Sequence, residues 1–242
     1  MLAGEGMLRP RTYPELIGKA LVLEAQPFEV MVDDDQPWIE GLTLILTVGL
    51  LVGLARLIGG LLLSASLPPA DAVLATLLSG WREFNAQARI DSDPAASEAA
   101  LRQAWDSFTW LLGYDRGWGQ LWSLILTPLG LLVQWLIASL IVFAAARAQG
   151  GRGSFNQTLG ATALMVAPQV LLMLQILPFV AVSGLLLAVW SLLILYRAVE
   201  VAHDLPWQRA ALVAALPYAL LAILLILGAG LAGLALMIGG GA

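Results

Sequence analysis

"LTLILTVGLLVGLARLIGGLLLSA", residues 42–65, holds a single charge, Arg56, in a run long enough to cross a bilayer as a helix. About 20 consecutive apolar residues span the hydrocarbon, whereas runs of roughly 10–14 suit the core helices of soluble domains. Composition extends that reading to the whole chain. Of 242 residues, 60% are apolar and 12% charged, and the mean hydropathy is +0.84; an ordinary soluble domain is about 25% charged. The sequence is that of an integral membrane protein. Cysteine is absent, which excludes disulfides, thiolate metal sites and cysteine nucleophiles. A net charge of −5 with singly scattered basic residues gives no surface for a nucleic-acid backbone, so no nucleic-acid partner is expected.

Working outward, "MLAGEGMLRPRTYPELIGK" carries charges and two prolines where a signal peptide needs an unbroken apolar core, so this segment is expected to stay on the mature protein. Residues 1–40 read as a cytoplasmic segment polar enough to stay in water, with one short amphipathic helix that sets Leu16, Ile17, Ala20, Leu21 and Leu23 on one side. Asp33, Asp34, Asp35, Pro37 and Trp38 suit the approach to an interface. The first span covers 41–65, and a four-span membrane domain covers 118–242, with spans at 118–146, 155–177, 179–200 and 207–238. Trp118 and Trp122 enter the second, and Pro178 breaks the third from the fourth. The fold class is therefore all-α and polytopic, a bundle of five transmembrane helices.

Placing the N-terminus in the cytoplasm puts Arg147, Arg152, Arg197 and Arg209 inside, in accord with the positive-inside rule, and leaves the C-terminus outside. The outer segment 66–117 then holds Arg82, Arg89, Arg102 and Arg116. In that segment Val73, Leu74, Leu77, Leu78, Trp81 and Phe84 recur at helical spacing, as do Leu101, Ala104, Trp105, Phe108, Leu111 and Leu112. "DSDPAAS" between them supplies a turn, with Asp93 as cap and Pro94 at the first helical position. An extracytoplasmic amphipathic hairpin inserted between spans one and two is the expected product. A lid or docking role is open to it, but interfacial packing is the simpler reading.

Residues 228–233, "GAGLAG", match the dinucleotide-binding pattern in letters only, because no strand precedes them and no acidic residue follows. Gly49 with Gly53, and Ala229 with Gly233, instead suit close helix packing. The one histidine, His203, lies in "YRAVEVAHDLPWQRA", residues 196–210. Helical spacing sets Glu200, His203 and Asp204 on one face, a conceivable metal or proton-sensing group. No orienting partner or nucleophile motif accompanies it, so the stretch reads as a solvated connector in which water reaches His203 and Pro206 helps start the last span. Arg56 is the stronger suspect, since an ionisable residue within a span marks either a pathway or a snorkelling side chain. Gln134, Gln169 and Gln175 are interior polar groups able to pair with it or with one another. Pro128, Pro168 and Pro217 are expected within spans or at their ends.

Three pieces, "ALVLEAQPFEVMVDDDQPW", "GGRGSFNQTLGATALMVAPQVL" and "WSLLILYRAVEVAHDLPWQRAALVAALP", with Phe155, Pro168, Trp190 and His203 within them, resemble bacterial members of the Yip family of Ypt-interacting membrane proteins. The resemblance implies a cytoplasmic N-terminal region followed by five spans, and a histidine between spans four and five without an assigned catalytic part. The eukaryotic relatives' association with small GTPases rests on a motif that is not found here.

A non-enzymatic scaffold or adaptor, engaging a membrane-protein partner or a second copy within the lipid bilayer, is the leading expectation. A small transporter or permease component using Arg56 and the glutamines is the alternative. A membrane enzyme using Glu200, His203 and Asp204 comes last, and no cofactor is expected.

Overall fold

A computed structural model describes residues 12–88, 93–112 and 119–239. The first eleven residues, Arg89, Arg116 and Trp118 lie outside them. Among the described residues every regular element is helical: α1 (Tyr13–Leu21), α2 (Gln26–Val32), α3 (Pro37–Ser66), α4 (Ala70–Ala88), α5 (Pro94–Leu112), α6 (Ser123–Ala148), α7 (Phe155–Ala163) with a 3₁₀ continuation Leu164–Ile176, α8 (Gly184–His203) and α9 (Trp207–Gly239). Five helical stretches are long and apolar enough to cross a membrane: Pro37–Ser66, Ser123–Ala148, Phe155–Ile176, Gly184–His203 and Trp207–Leu231.

Helix α3 packs against α6 and against α7 with its 3₁₀ continuation, and this last stretch, which also meets α6 and α8, is the most enclosed of the five. The glycines of α3 decide how close its neighbours come. A methyl on Gly49 would lie 2.6 Å from Pro128 Cα, and one on Gly53 would lie 2.8 Å from the Ser123 carbonyl oxygen. The expected Gly49–Gly53 pair is thus the seam against α6, where the missing Cβ atoms let backbones touch. Gly41 faces Ala163 and Gly59 faces the Gln175 carbonyl, so α3 runs parallel to its second neighbour.

That second seam explains the unusual winding after α7. Gly41 to Gly59 is eighteen residues of α3, or ~27 Å at α-helical rise, but Ala163 to Gln175 is only twelve residues. Wound as an α-helix those twelve cover ~18 Å, and as 3₁₀ they cover ~24 Å. Pro168, inside the 3₁₀ run, cannot donate to an α-helical bond and its ring crowds the carbonyl four residues back, which favours the tighter, longer winding. Pro128 and Pro217 likewise lie inside α6 and α9.

The segment before α3 forms two short helices where one was expected, and both dock on the bundle. Tyr13, Leu16 and Ala20 of α1 and Phe28 and Met31 of α2 are buried, because both short helices lay their apolar sides on α7, α8 and the 3₁₀ segment. Leu23, at φ 62°, makes the turn between them, and Trp190 Nε1 donates to the Leu21 carbonyl at 2.9 Å. Glu15, Glu24 and Glu29 remain exposed. Helices α4 and α5 are tied to each other by the Arg82–Glu98 ion pair and by Trp81 Nε1 donating to Ser97. Asp93 caps α5 through Ala95 N–H, and Pro94 opens it as expected. Leu77, Phe84 and Phe108 stay exposed.

The glycine seam carries a direct expectation. Gly49→Ala forces backbone against Pro128 and is expected to destabilise by about 1–3 kcal/mol, whereas Gly18→Ala in α1, which meets nothing within 4 Å, gains helix propensity. Melting temperatures of the two variants in detergent should move in opposite directions.

Candidate functional site

At the end of the bundle that carries α1 and α2, the connection between α6 and α7 closes over the end of α8. Helix α6 stops in a hydrogen-bonded C-terminal turn: Gly151 N–H donates to the Ala146 carbonyl and Gly150 N–H to the Arg147 carbonyl. Gly150 has φ +88°, a left-handed conformation that glycine enters without strain. Ser154 then caps α7, its hydroxyl accepting from Gln157 N–H while the Gln157 side chain accepts from Ser154 N–H. Between these ends Gly151 and Gly153 lie directly on α8. A methyl on Gly153 would sit 2.1 Å from the Ala202 carbonyl, and one on Gly151 2.9 Å from His203 Cβ.

His203 fills the space those glycines leave. It is 1% exposed, so the expectation of a water-reached histidine is overturned. Its Nε2 lies 2.9 Å from Thr158 Oγ1, and Thr158 donates its single proton to the Ser154 carbonyl at 2.8 Å. Thr158 is therefore the acceptor toward the ring, which fixes the proton on Nε2 and leaves Nδ1 without a partner. Arg152 N–H closes on the His203 carbonyl, and Arg209 reaches the Gln149 carbonyl. Phe143 packs beside His203 and edge-on to Phe155, under the Arg147 guanidinium. No local pattern signals this burial, because Thr158 is 45 residues from His203.

The other members of the expected trio go elsewhere. Glu200 pairs with Arg197, and exposed Asp204 ends α8 in a left-handed conformation, φ 51°. Among the described residues no group of three or more His, Asp or Glu gathers at metal-binding spacing. As expected, Pro206 starts α9, its carbonyl accepting from Arg209 and Ala210 N–H. Beneath His203 a polar column continues down the α6–α7 contact: Ser139 to Thr162 at 2.6 Å, Thr162 to the Thr158 carbonyl at 2.7 Å, and Trp135 Nε1 to the Leu159 carbonyl at 3.0 Å. Nearby, Tyr13 donates to Glu40 Oε2 at 2.8 Å, both side chains being buried. Burial, and then that carboxylate, push the Tyr13 hydroxyl above the ordinary phenol range.

The model of the Yip1 domain matches residues 21–230. The chain belongs to the Yip1 domain family. It is a multi-pass membrane protein. No curated protein and no solved structure matches it. In this Yip1 domain three of the four residues that carried the sequence resemblance make contacts between elements, Phe155 with Phe143, Trp190 with Leu21 and His203 with Thr158, and the fourth, Pro168, is buried within the 3₁₀ segment.

A second polar group lies toward the opposite end. Arg56 Nε donates to Gln175 Oε1 at 3.2 Å, with Thr127 Oγ1 3.5 Å from its Nη1. Gln134 and Gln169 line the same cavity, so the structure brings together all four intramembrane polar residues singled out from the sequence. It adds three that were not: Thr127, Ser191 and Tyr218. Isolated hydroxyls in an apolar run carry no signal of what they face.

The histidine lock has a measurable strength. His203→Ala leaves Thr158 without its ring partner and removes the group under the glycine turn, an expected loss of about 1–3 kcal/mol. In a double-mutant cycle His203→Ala and Thr158→Val should couple by about 0.5 kcal/mol or more, read from unfolding midpoints; strict additivity would mean that the 2.9 Å contact carries no energy.

Proposed function

We propose that this Yip1-domain protein is a non-enzymatic scaffold or adaptor that holds another membrane protein, or a second copy of itself, within the bilayer. The observation that supports this reading is the state of α9. From Leu220 to Leu231 every residue of that helix is exposed, and Ala222, Gly228, Ala229 and Gly230 lie among them. The expected packing role of Ala229 is therefore not met inside the chain: Ala229 is exposed, Gly228 and Gly230 have open space around them, and the surroundings of Gly233 lie outside the described residues. Small residues on a free apolar helix suit the close approach of a second helix. His203, the one histidine, is locked to Thr158 and enclosed by glycines, an arrangement that suits a brace better than a general base. The comparisons lend no support to the transporter alternative.

In this reading residues 1–40 and the two short connections at their end of the bundle lie in the cytoplasm, α4 and α5 lie on the opposite membrane surface as an inserted hairpin, and the C-terminus is extracytoplasmic. Arg147, Arg152, Arg197 and Arg209 support that orientation by the positive-inside rule.

Both parts are testable in a chain without cysteine. Single cysteines stepped along residues 220–231 should yield oxidative cross-links in native membranes with the period of one helix face, to a second copy or to a discrete partner. A uniformly monomeric series removes the adaptor reading. For orientation, Gln208→Cys should resist an impermeant thiol reagent in intact cells while Ala96→Cys reacts; the reverse pattern inverts the topology.

A further inference from the structure

The Arg56 cavity has a volume of about 370 Å³ and is walled by Gln134, Gln169, Gln175, Ser191 and Tyr218. Among the described residues no carboxylate pairs with Arg56; its partners are the neutral Gln175 and Thr127. Ser191 is 2% exposed, and its hydroxyl and that of Tyr218 are neighbours with no partner beyond each other. A cation without a counter-charge and a hydroxyl pair with a donor to spare, on one cavity wall, describe a site shaped for an anion.

Depth and continuation narrow the anion's class. Thr127 lies in the second turn of α6, Gln175 is the next-to-last residue of the 3₁₀ segment, and Gly184 is the first residue of α8. Three of the elements around Arg56 thus end close to its level, the depth at which chain leaves hydrocarbon. From there an apolar crevice of about 360 Å³ runs deeper between α6 and α9, along Gly130, Val133, Ile137 and Pro217. Gln134, Tyr218 and Leu221 line both spaces, so the two adjoin. Gly130, Val133, Ile137 and Leu221 are exposed on the bundle surface, which opens the crevice sideways to lipid.

We infer that Arg56 and the adjoining crevice form a binding site for one phospholipid, the phosphate on the guanidinium and an acyl chain between α6 and α9. The Gln134 amide and the Ser191 and Tyr218 hydroxyls lie between these two ends, where the ester carbonyls of a glycerolipid offer acceptors. A free phosphate uses only the first part of this arrangement, and a neutral diacylglycerol only the second. Interfacial Arg pairs strongly with phosphate through charge-assisted hydrogen bonds.

The test uses the purified full-length protein in detergent, titrated separately with dioleoyl-phosphatidylglycerol, dioleoylglycerol and inorganic phosphate. Occupancy is read by native mass spectrometry and the melting temperature by tryptophan fluorescence. Phosphatidylglycerol should bind one to one and raise the melting temperature, dioleoylglycerol should bind at least about tenfold more weakly, and inorganic phosphate should shift nothing. Arg56→Gln should weaken phosphatidylglycerol by about tenfold or more and leave dioleoylglycerol unchanged. Gly130→Leu, whose side chain enters open space at the crevice wall, should weaken both lipids, and it decides the matter if Arg56→Gln fails to fold. Unchanged phosphatidylglycerol binding in either folded variant overturns the site. A shift by inorganic phosphate equal to that by the lipid overturns its assignment to a phospholipid.

Discussion

The close approach of α3 to its two neighbours is the constraint on which the rest of the bundle depends. Between apolar helices in lipid there is little hydrophobic gain from contact, so fit between surfaces must hold them together. Here the fit is glycine against backbone: Gly49 on Pro128, Gly53 on Ser123, Gly41 on Ala163 and Gly59 on Gln175. Once both seams are fixed, the segment after α7 must cover its length with fewer residues than α3 uses. The 3₁₀ winding around Pro168 follows from that mismatch and not from a weakness of the sequence.

The same device operates at the end that carries α1 and α2, with a different cargo. Gly151 and Gly153 let a connection lie flat on the terminus of α8, and the ring of His203 occupies the volume their side chains would have taken. Connections usually run over the surface because their polar backbone groups need partners. This one supplies its own through the C-terminal turn of α6, the capping box of α7 and the Arg152 to His203 bond. The connection, α7 and α8 are held as one unit, and α1 and α2 rest on it through Trp190 and the buried face of Phe28 and Met31.

Much of this was legible in the sequence, in proportion to how local the signal is. The number and class of spans follow from runs of apolar residues, and the Gly49–Gly53 seam, the Asp93 cap and the Pro206 start follow from short patterns. The polar set Arg56, Gln134, Gln169 and Gln175 was visible because each stands out in its own apolar run, although only the fold shows that they share one cavity. His203 was misread because its environment comes from residues far along the chain. Its neighbours Glu200, Asp204, Arg197 and Arg209 look like a wet loop, while Thr158 and the glycines that bury it lie around position 155. The docking of α1 and α2 was hidden for a related reason. Their charged residues face out and dominate the composition, so the narrow apolar side that meets the bundle leaves little trace in an average.

The lengths of the helices separate the two ends physically. Helix α3 has 30 residues, ~45 Å at helical rise against a hydrocarbon thickness of ~30 Å, so about ten of its residues lie beyond the hydrocarbon if it stands upright. Buried Glu40 with Tyr13, His203 with Thr158, and the Arg197–Glu200 pair all gather at the end with α1 and α2. At the opposite end Arg56 makes its contacts a turn or so inside the ends of its neighbours. Carboxylates and an imidazole are far cheaper to hold where water can reach the rim than inside lipid. Glu40 is thus near one rim and Arg56 near the other: the twenty residues 37–56 cover ~30 Å, and the surplus of α3 is its last ten residues, 57–66, which continue past Arg56 toward α4. Arg56 is left as the charge that must be settled at the membrane itself.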